Sequence, residues 1–274
     1  MNRRFHRTIF ISDLHLGSRL CKAENLLDFL THNEARTLYL VGDVFDIKRL
    51  RRRWYWPSEH RAVVRQILAK ARAGTRVVYV PGNHDPDLRD RLGVRRNGIE
   101  VAHEVMHETA DGRRLLVVHG DEYEPCLNRG DWVYRCGCLL YLSGVRASEI
   151  VGGLRRRVGL GYWSFSAFLK DRLLEHVPIA RAFKENLAAE ARRRGADGVV
   201  CGHIHHARAE RIDGVTYYND GDWVESCTAL VEDADGRLEL LRWSGWRGRA
   251  APAPVFVPAG GPLIERPAVA QKAG

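Results

Sequence analysis

The sequence predicts an α/β fold, because short apolar runs alternate with longer amphipathic stretches over the first two thirds of the chain. A second observation supports this fold class: the apolar runs stop at polar loops that contain glycine, histidine or carboxylates. In open α/β sheets, ligands bind at the loops that follow the strands. The candidate site is therefore predicted along one rim of the sheet.

Five apolar runs carry this pattern, at residues 8–11, 37–41, 76–80, 115–118 and 198–201. Helical spacing of apolar residues at 23–30 and 60–73 predicts helices between strands, and Gly74 is a helix end signal. Residues 215–219, 226–232 and 238–243 resemble strands, with turns at Asp213-Gly214 and Asp235-Gly236. These three strands are predicted to add an antiparallel portion to a sheet or sandwich.

Residues 122–197 interrupt the pattern, since they contain no polar loop after a strand and are rich in Leu, Tyr, Trp and Arg. We predict that 122–197 form a largely helical cap, inserted into a main domain of residues 1–245. The alternative is that these residues supply further core helices. The Pro-, Ala- and Gly-rich residues 246–274 are predicted to be disordered.

The composition is that of an ordinary globular protein, with 45% hydrophobic and 28% charged residues. The net charge of +9 attracts anions, whether phosphorylated substrates, an anionic membrane leaflet or nucleic acid. The sequence has no extended basic stripe that would follow a nucleic-acid backbone, so no nucleic-acid partner is expected. Six scattered cysteines and the lack of a signal peptide or membrane-spanning stretch predict a cytoplasmic protein.

The polar residues at the five strand ends are all oxygen or nitrogen donors. Each motif alone is weak, because a lone histidine after a strand more often makes a structural hydrogen bond. Together they form a donor set suited to Mn²⁺, Fe²⁺ or Zn²⁺, and the set exceeds what one tetrahedral ion needs. We therefore predict two divalent ions, with Mn²⁺ as the first candidate, held by Asp13, His15, Asp43, Asn83, His119, His203 and His205.

The ordered motifs DLH, GDVFD, GNHD, HGD and GHIHH resemble those of the calcineurin-like metallophosphoesterase superfamily, from about residue 9 to residue 206. The resemblance implies a four-layer α/β/β/α sandwich with a dimetal site at the strand ends. It also implies how the ligands divide between the ions. Asp43 would bridge the ions, and the other residues would form two sets: Asp13, His15 and His205 for the first ion, and Asn83, His119 and His203 for the second.

In the chemistry that this site implies, the ions activate a water, and hydroxide attacks phosphorus in line with the leaving oxygen. His84 follows the ligand Asn83, so its side chain is expected near the leaving group, where it would donate a proton. The resemblance assigns Asp46 to orienting His84. The alternatives are that His84 only supports the ligands and that Asp46 is an ordinary turn carboxylate. Asp85 and Asp121 are expected to form hydrogen bonds to ligands rather than to bind metal.

Within the superfamily, the sequence is similar to bacterial UDP-2,3-diacylglucosamine hydrolases of lipid A synthesis. The motifs ISDLHLG, GDVFDI and HGDEYE and the long apolar and basic insertion carry this resemblance. It implies that the cap covers acyl chains and that UMP is released from UDP-2,3-diacylglucosamine at the cytoplasmic surface of the inner membrane. One residue departs from the pattern: those enzymes carry Arg at the position of His84, which keeps another substrate open.

Two clusters combine arginine with aromatic residues. The first, at 49–56, follows the loop of the bridging aspartate, and its candidates for binding the substrate phosphate or nucleotide are Arg51, Arg52 and Arg53. The second includes Arg156 and Trp163 on the predicted cap, and it suits an acyl chain and peripheral contact with an anionic membrane. The alternatives are a solvated turn for the first cluster and packing of the cap for the second.

The leading hypothesis is hydrolysis of the pyrophosphate bond in UDP-2,3-diacylglucosamine or a related nucleotide-linked lipid. A second hypothesis is a phosphodiesterase or phosphatase that acts on another phospholipid or on a nucleotide, which His84 favours. A third is a metal-binding scaffold without catalysis. The complete ligand set and the presence of His84 disfavour this third hypothesis.

Overall fold

The computed structural model of the chain describes residues 3–124, 178–243, 255–256 and 264–265. These residues form two β-sheets that face each other, and helices cover the outer face of each sheet. The predicted α/β class and the sandwich of four layers are therefore confirmed.

Strands in the described residues are numbered in chain order: β1 (Arg4–Ile11), β2 (Asn33–Val41), β3 (Arg76–Val80), β4 (Arg95–Arg96), β5 (Ile99–Val101), β6 (Val105–Glu108), β7 (Arg114–Val117), β8 (Gly198–Cys201), β9 (Arg208–Ile212), β10 (Val215–Asn219), β11 (Thr228–Glu232), β12 (Leu238–Arg242), β13 (Val255–Phe256) and β14 (Ile264–Glu265). The helices are α1 (Ala23–His32), α2 (Ile47–Arg52), α3 (Ser58–Arg72) and α4 (Pro178–Arg193). None of the helices so described is long and apolar enough to cross a lipid bilayer.

The first sheet has the strand order β14-β13-β12-β11-β1-β2-β3-β5-β4, and the second has the order β6-β7-β8-β10-β9. Alternation along each strand assigns successive side chains to opposite faces. On β1, Ile9 and Ile11 pack with α1 and α3, whereas Phe10 packs between the sheets. There Phe10 stacks on Tyr39 with ring centroids 4.9 Å apart. On the far side, Phe183 of α4 packs against the second sheet.

Parallel pairing places the ends of the central strands at one edge of the molecule. β1, β2 and β3 are parallel, and Val41 at the end of β2 lies opposite Val80 at the end of β3. In the second sheet β7 and β8 are parallel, with Val117 opposite Val200. Because the carboxyl ends of parallel strands meet at the same edge, the loops that follow them are neighbours.

Most predicted elements are present, with ends that differ by a few residues. β3, β8 and β10 occupy the predicted ranges, and α3 begins at Ser58, two residues before its predicted start. β9 was not predicted from the sequence, because its residues RAERI include two arginines and a glutamate. It is ordered as a strand by antiparallel pairing with β10 across the turn at Asp213-Gly214.

Most of the predicted cap at 122–197 lies outside the described residues, and the cap stays a prediction. At the end of that range, α4 packs on the second sheet through Phe183 and Leu187. Most of the tail predicted to be disordered, 246–274, also lies outside the described residues. The parts that are described are the short strands β13 and β14, which extend the first sheet from β12.

A buried carboxylate connects the two sheets. Glu232 ends β11 in the first sheet, and its side chain is fully buried. Its Oε2 accepts a hydrogen bond from Thr8 Oγ1 at 2.6 Å and lies 2.9 Å from Nε2 of His107, on β6 of the second sheet. Its Oε1 accepts from the Ala110 amide at 2.8 Å and lies 3.2 Å from Arg7 Nε. Both oxygens therefore have polar partners, as a buried charge requires.

We expect Glu232→Ala to lower the free energy of unfolding by about 3–5 kcal/mol, because buried partners lose their carboxylate. Burial raises the pKa of Glu232, but the hydrogen bonds from His107 and Thr8 outweigh it and leave the pKa below its ordinary value. The carboxylate therefore stabilises the fold above about pH 4.5, and this contribution is lost as the pH falls through the lower folded pKa.

Thermal denaturation across acidic pH measures this effect in the wild type and in Glu232→Gln. The wild type should lose stability more steeply on acidification than Glu232→Gln. Glu108→Gln, which changes an exposed carboxylate on β6, is the control. Equal acid sensitivity of Glu232→Gln and the wild type would contradict the proposed contribution of the carboxylate.

Candidate metal centre

Backbone hydrogen bonds hold the loops after the strands together at the sheet edge. The His15 amide donates to the Asp43 carbonyl at 2.9 Å, which joins the loop after β1 to the loop after β2. The Gly202 amide donates to the His119 carbonyl at 3.1 Å, which joins two loops of the second sheet. The side chains of these loops therefore extend from a fixed backbone.

One group of donors at this edge consists of Asp13, His15 and His205. Asp13 Oδ1 lies 3.1 Å from His205 Nε2 and 3.8 Å from His15 Nε2. The two Nε2 atoms are 3.3 Å apart. Donor atoms of all three residues lie within 4.8 Å of one another, close enough to bind the same cation. The group has the same members as the first ligand set that the family resemblance implies.

A second group consists of Asp13, Asp43 and His119. Asp43 Oδ2 lies near a histidine of each group, 3.9 Å from His15 Nε2 and 3.5 Å from His119 Nε2. A carboxylate in this position can bridge two ions. His119 is buried, and its Nδ1 donates to the Val41 carbonyl at 2.9 Å. That hydrogen bond fixes the ring and leaves Nε2 as the nitrogen that can bind a metal.

The remaining predicted ligands, Asn83 and His203, belong to loops at the same edge. Asn83 Oδ1 and His119 Nε2 are buried and have no hydrogen-bond partner among the described residues. Such atoms are rare in folded proteins, and a cation would satisfy both. The rings of His119 and His203 lie edge to face, with centroids 5.3 Å apart. His203 Nε2 lies 3.3 Å from Oε2 of Glu124, a residue that was not among the predicted ligands.

His84 and Asp46 lie together beside the first group. His84 Nδ1 is 3.1 Å from Asp46 Oδ1, and the His84 and His15 rings lie edge to face at 4.8 Å. Asp46 is buried and also accepts from the Arg49 amide at 3.2 Å, at the start of α2. The His84 amide donates to Asp43 Oδ1 at 2.7 Å. His15, Asp46 and His84 also converge within 4.8 Å, so this region has more donors than one ion needs.

Five of the seven predicted ligands have left-handed backbone conformations: Asp13 (φ 52°), His15 (φ 48°), Asp43 (φ 53°), His203 (φ 68°) and His205 (φ 52°). For residues other than glycine this conformation is uncommon and costs on the order of 1–3 kcal/mol each. Such strain persists only where the surrounding structure enforces it, and it clusters at functional sites. It therefore supports the ligand assignment independently of the side-chain distances.

Close approach of the loops requires glycine at two positions. A side chain at Gly82 would collide with Asp43 and with the His119 ring, and one at Gly202 would collide with Asp13. Only a residue without Cβ lets the backbone approach the ligands this closely.

The carboxylates make this edge strongly attractive to positive charge. Burial raises the pKa of Asp43, but the charge of His119 outweighs it and leaves the pKa well below its ordinary value. Burial lowers the pKa of His15 to about 4, so its ring is neutral at pH 7, which is the form that binds metal. At His119, burial lowers the pKa, but the Asp43 charge outweighs it and raises the pKa well above 6.5. The same negative potential would attract a metal cation.

The arginines predicted to bind substrate lie at the end of α2 and just after it. Arg51, Arg52 and Arg53 are exposed, and Arg51 Nη2 pairs with Asp87 Oδ2 at 2.6 Å. Trp54 follows them and is 75% exposed. The other predicted substrate-binding residues lie outside the described residues: Arg156 and Trp163.

Two aspartates expected to act as hydrogen-bond partners have different positions. Asp85 is buried and accepts from the amides of Gly82 at 2.6 Å and Val44 at 2.8 Å, which connects two ligand loops. Asp121 is paired through both oxygens with Arg89 Nη2, each at 2.8 Å. Asp85 therefore supports the ligand loops directly, whereas Asp121 makes an ion pair next to His119.

Some residues that shape the site were missed in the sequence. Asn219 Nδ2 donates to the Gly202 carbonyl at 2.6 Å, and Ser12 Oγ donates to Asp13 Oδ2 at 2.7 Å. Asp220 is fully buried next to Ser12. The motif NDGD begins at Asn219, the last residue of the predicted strand 215–219, much as the ligand motifs come at the ends of their strands. That pattern could have indicated Asn219 and Asp220.

Residues 6–207 match the family model described as calcineurin-like phosphoesterase. The chain is 26% identical over 239 residues to a UDP-2,3-diacylglucosamine hydrolase of Neisseria gonorrhoeae, covering 84% of this chain and 95% of that protein. It is 27% identical over 255 residues to a UDP-2,3-diacylglucosamine hydrolase of Xanthomonas campestris pv. campestris, covering 85% and 98%. Among solved structures, it is similar to zinc-bound Vps29 of Entamoeba histolytica, with TM-score 0.44, 15% identity and coverage of 88% and 94%.

We expect Mn²⁺ to stabilise the folded protein, by about 2.7 kcal/mol when the free ion is at 100 times its Kd. His119→Gln should lose most of this stabilisation, because it removes a buried donor beside Asp43. His84→Gln should keep it, because His84 is not among the predicted ligands. The measurement is the unfolding temperature of chelator-treated protein with and without Mn²⁺. A loss in His84→Gln as large as in His119→Gln would contradict this division of roles.

Proposed function

The chain belongs to the calcineurin-like phosphoesterase family and is a metal-dependent phosphoesterase, and from this premise we propose that it hydrolyses the pyrophosphate bond of UDP-2,3-diacylglucosamine or a related nucleotide-linked lipid. The products would be UMP and an acylated sugar phosphate. The observation that carries the proposal is the convergence of strained, oxygen- and nitrogen-donating residues at one sheet edge. The lipid substrate is supported by the relatives named UDP-2,3-diacylglucosamine hydrolase, which align with this chain over nearly their whole length.

We propose that two divalent ions bind at this edge, with Mn²⁺ favoured over Fe²⁺ and Zn²⁺. When bound, such ions lower the pKa of a water and offset the negative charge that develops on the phosphoryl group. The contribution of the protein is to hold the donors in place before substrate arrives. The proposed ligands are Asp13, His15, Asp43, Asn83, His119, His203 and His205.

We propose that His84 donates a proton to the leaving oxygen. The contact of its Nδ1 with Asp46 fixes the ring and leaves Nε2 available to substrate. The His84 side chain is 34% exposed, whereas Asp46 is buried, so the histidine is the member of the pair that substrate can reach. Asp46 is held in turn by the Arg49 amide. Proton donation of this kind contributes about 10²–10⁴-fold to a rate.

A second candidate is a phosphodiesterase or phosphatase that acts on another phospholipid or on a nucleotide. His84 itself favours it, because the hydrolases that the sequence resembles carry Arg at this position, and histidine is the more general form. A scaffold without catalysis is disfavoured, because all the proposed ligands and His84 are present.

We also propose that the face beside the site makes peripheral contact with an anionic membrane, on its cytoplasmic side. Among the described residues, the exposed large apolar side chains are Phe5, Trp54, Leu92 and Val94. All but Phe5 lie in segments 51–54 and 87–96, which the Arg51–Asp87 ion pair joins at 2.6 Å. The same segments expose five further cations: Arg52, Arg53, Arg91, Arg95 and Arg96. Apolar side chains interspersed with arginines suit an anionic lipid surface.

The purified protein with Mn²⁺ is expected to release UMP from UDP-2,3-diacylglucosamine, and His119→Ala should abolish the release. His84→Gln should lower the rate by about 10²–10⁴-fold while Mn²⁺ remains bound. Bis-p-nitrophenyl phosphate, a generic diester, serves as the parallel substrate. Cleavage of the diester without UMP release would support phosphoesterase activity and would contradict the proposed lipid substrate. Activity on neither, with two ions bound, would support the scaffold.

Sedimentation with vesicles tests the membrane contact without any substrate. Binding to phosphatidylglycerol-containing vesicles should exceed binding to phosphatidylcholine vesicles and should weaken as salt rises. The double variant Trp54→Ser, Leu92→Ser should bind at least about tenfold more weakly, because the lost apolar burial exceeds roughly 1.4 kcal/mol. Phe5→Ser is the matched control. Phe5 is also exposed, but it lies near the start of β1, whereas the ligand loop follows the end of that strand. Equal losses in both variants would refute this docking face.

A further inference from the structure

The two oxygens of Asp13 have different neighbours. Oδ1 faces the Nε2 atoms of His205 and His15, at 3.1 Å and 3.8 Å. Oδ2 accepts hydrogen bonds from Ser12 Oγ at 2.7 Å and from the His203 amide at 2.9 Å. The carboxylate therefore has one oxygen directed to the proposed metal ligands and one oxygen held by protein donors. Its orientation depends on what keeps those donors in place.

Ser12 itself is surrounded by acceptors. Its Oγ lies 2.5 Å from Asp220 Oδ1, 2.7 Å from Asp13 Oδ2 and 3.2 Å from the Gly221 carbonyl. A serine hydroxyl has one hydrogen to donate, and its lone pairs can accept. It cannot donate to both carboxyl groups at once. One of the two carboxyl groups must therefore be protonated and donate a hydrogen bond to Ser12 Oγ.

Asp220 is the better candidate to supply that hydrogen. It follows β10, it is fully buried, and its Oδ2 has no hydrogen-bond partner among the described residues. An ionised carboxylate in such surroundings is costly, and a neutral carboxyl group is much less so. Asp13 instead has the His203 amide on one oxygen and two imidazoles near the other. Those neighbours favour the ionised form of Asp13.

The electrostatics agree with this geometry. Burial raises the pKa of Asp220 well above its ordinary value; the hydrogen bond with Ser12 acts against this rise, and the charge of Asp13 adds to it.

We propose that Asp220 and Ser12 are positioning residues that orient Asp13: Asp220 donates to Ser12, and Ser12 donates to Asp13 Oδ2. Because Asp220 occupies a lone pair of Ser12 Oγ, the single serine hydrogen is directed to Asp13 and not to Asp220 or Gly221. Asp13 Oδ1 is thereby kept toward the histidines. The inference rests on the proposed role of Asp13 as a metal ligand.

This chain of hydrogen bonds crosses between the two sheets. Ser12 and Asp13 follow β1 of the first sheet, whereas Asp220 follows β10 of the second. Two hydrogen bonds fix the Asp220 backbone. The Asp220 amide donates to the Cys201 carbonyl at 3.1 Å, and Thr228 Oγ1 donates to the Asp220 carbonyl at 2.7 Å. The orientation of a proposed ligand in one sheet therefore depends on a carboxyl group in the other.

Mn²⁺ titration calorimetry on the metal-free full chain tests the proposal without substrate. Ser12→Ala and Asp220→Leu should each bind one of the ions about 10–100-fold more weakly, the usual effect of losing a group that orients a ligand. Asp220→Asn should stay within about threefold of the wild type, because its amide can still donate to Ser12. Asp222→Asn is the matched control: Asp222 is a buried carboxylate that accepts from the Val224 amide in the next turn, and its loss should not change the affinity.

The opposite arrangement gives the opposite result. If Ser12 donated to an ionised Asp220, Asp220→Leu would release the hydroxyl for Asp13, and Mn²⁺ would bind equally or more tightly. That outcome would overturn the proposal. Infrared spectra give a second readout at neutral pH: Asp220→Asn should remove a C=O stretching band of a protonated carboxyl group. An unchanged band would also overturn it.

Thermal unfolding of the metal-free variants separates loss of fold from loss of affinity. If Asp220→Leu does not fold, Ser12→Ala and the infrared spectrum of Asp220→Asn decide the question. None of these measurements includes a lipid or nucleotide. If the proposed substrate is wrong, the test of Ser12 and Asp220 is therefore unaffected.

Discussion

The constraint on which the site depends is the repulsion between two buried carboxylates, Asp13 and Asp43. One oxygen of each and a nitrogen of His119 lie within 4.8 Å of one another. Two such charges would move apart or take up protons unless positive charge lies between them. Here they cannot move apart, because the parallel register of β1 and β2 and the His15–Asp43 backbone hydrogen bond hold their loops together. The sheet supplies the rigidity, and in the proposed site the repulsion would supply affinity for cations.

A comparison of two sets of buried polar groups shows how one fold can serve two purposes. Glu232 has donors on both oxygens, and its position between the sheets contributes stability. At the sheet edge, by contrast, buried atoms such as Asn83 Oδ1 and His119 Nε2 have no hydrogen-bond partner within the described part of the chain. Buried polar groups stabilise the fold where they are satisfied, and where they are not they can provide energy for binding a ligand. The sandwich as a whole must offset the cost of the unsatisfied group.

Much of the fold and most of the proposed site could be predicted from the sequence, because apolar strands that end in donor residues form a local pattern. Residues after successive parallel strands must meet at one edge, so Asp13, Asp43 and Asn83 could be grouped without a structure. β9 could not be predicted, since its charged sequence becomes a strand only by pairing with β10. The functions of Ser12 and Asp220 depend on which oxygen of Asp13 faces which neighbour. That information exists only once the two sheets are packed.

The left-handed backbone of the proposed ligands has a consequence for how this chain can diverge. Asp13, His15 and His205 occupy conformations that glycine or asparagine would adopt at lower cost. Under the proposed ligand assignment, a requirement for metal binding opposes that replacement. In a descendant that no longer needed the ions, the same positions would drift toward glycine and asparagine and the fold would become more stable. Loss of catalysis in such a lineage would therefore be visible in two ways: metal-donating side chains would be missing, and residues that favour the left-handed conformation would stand in their place.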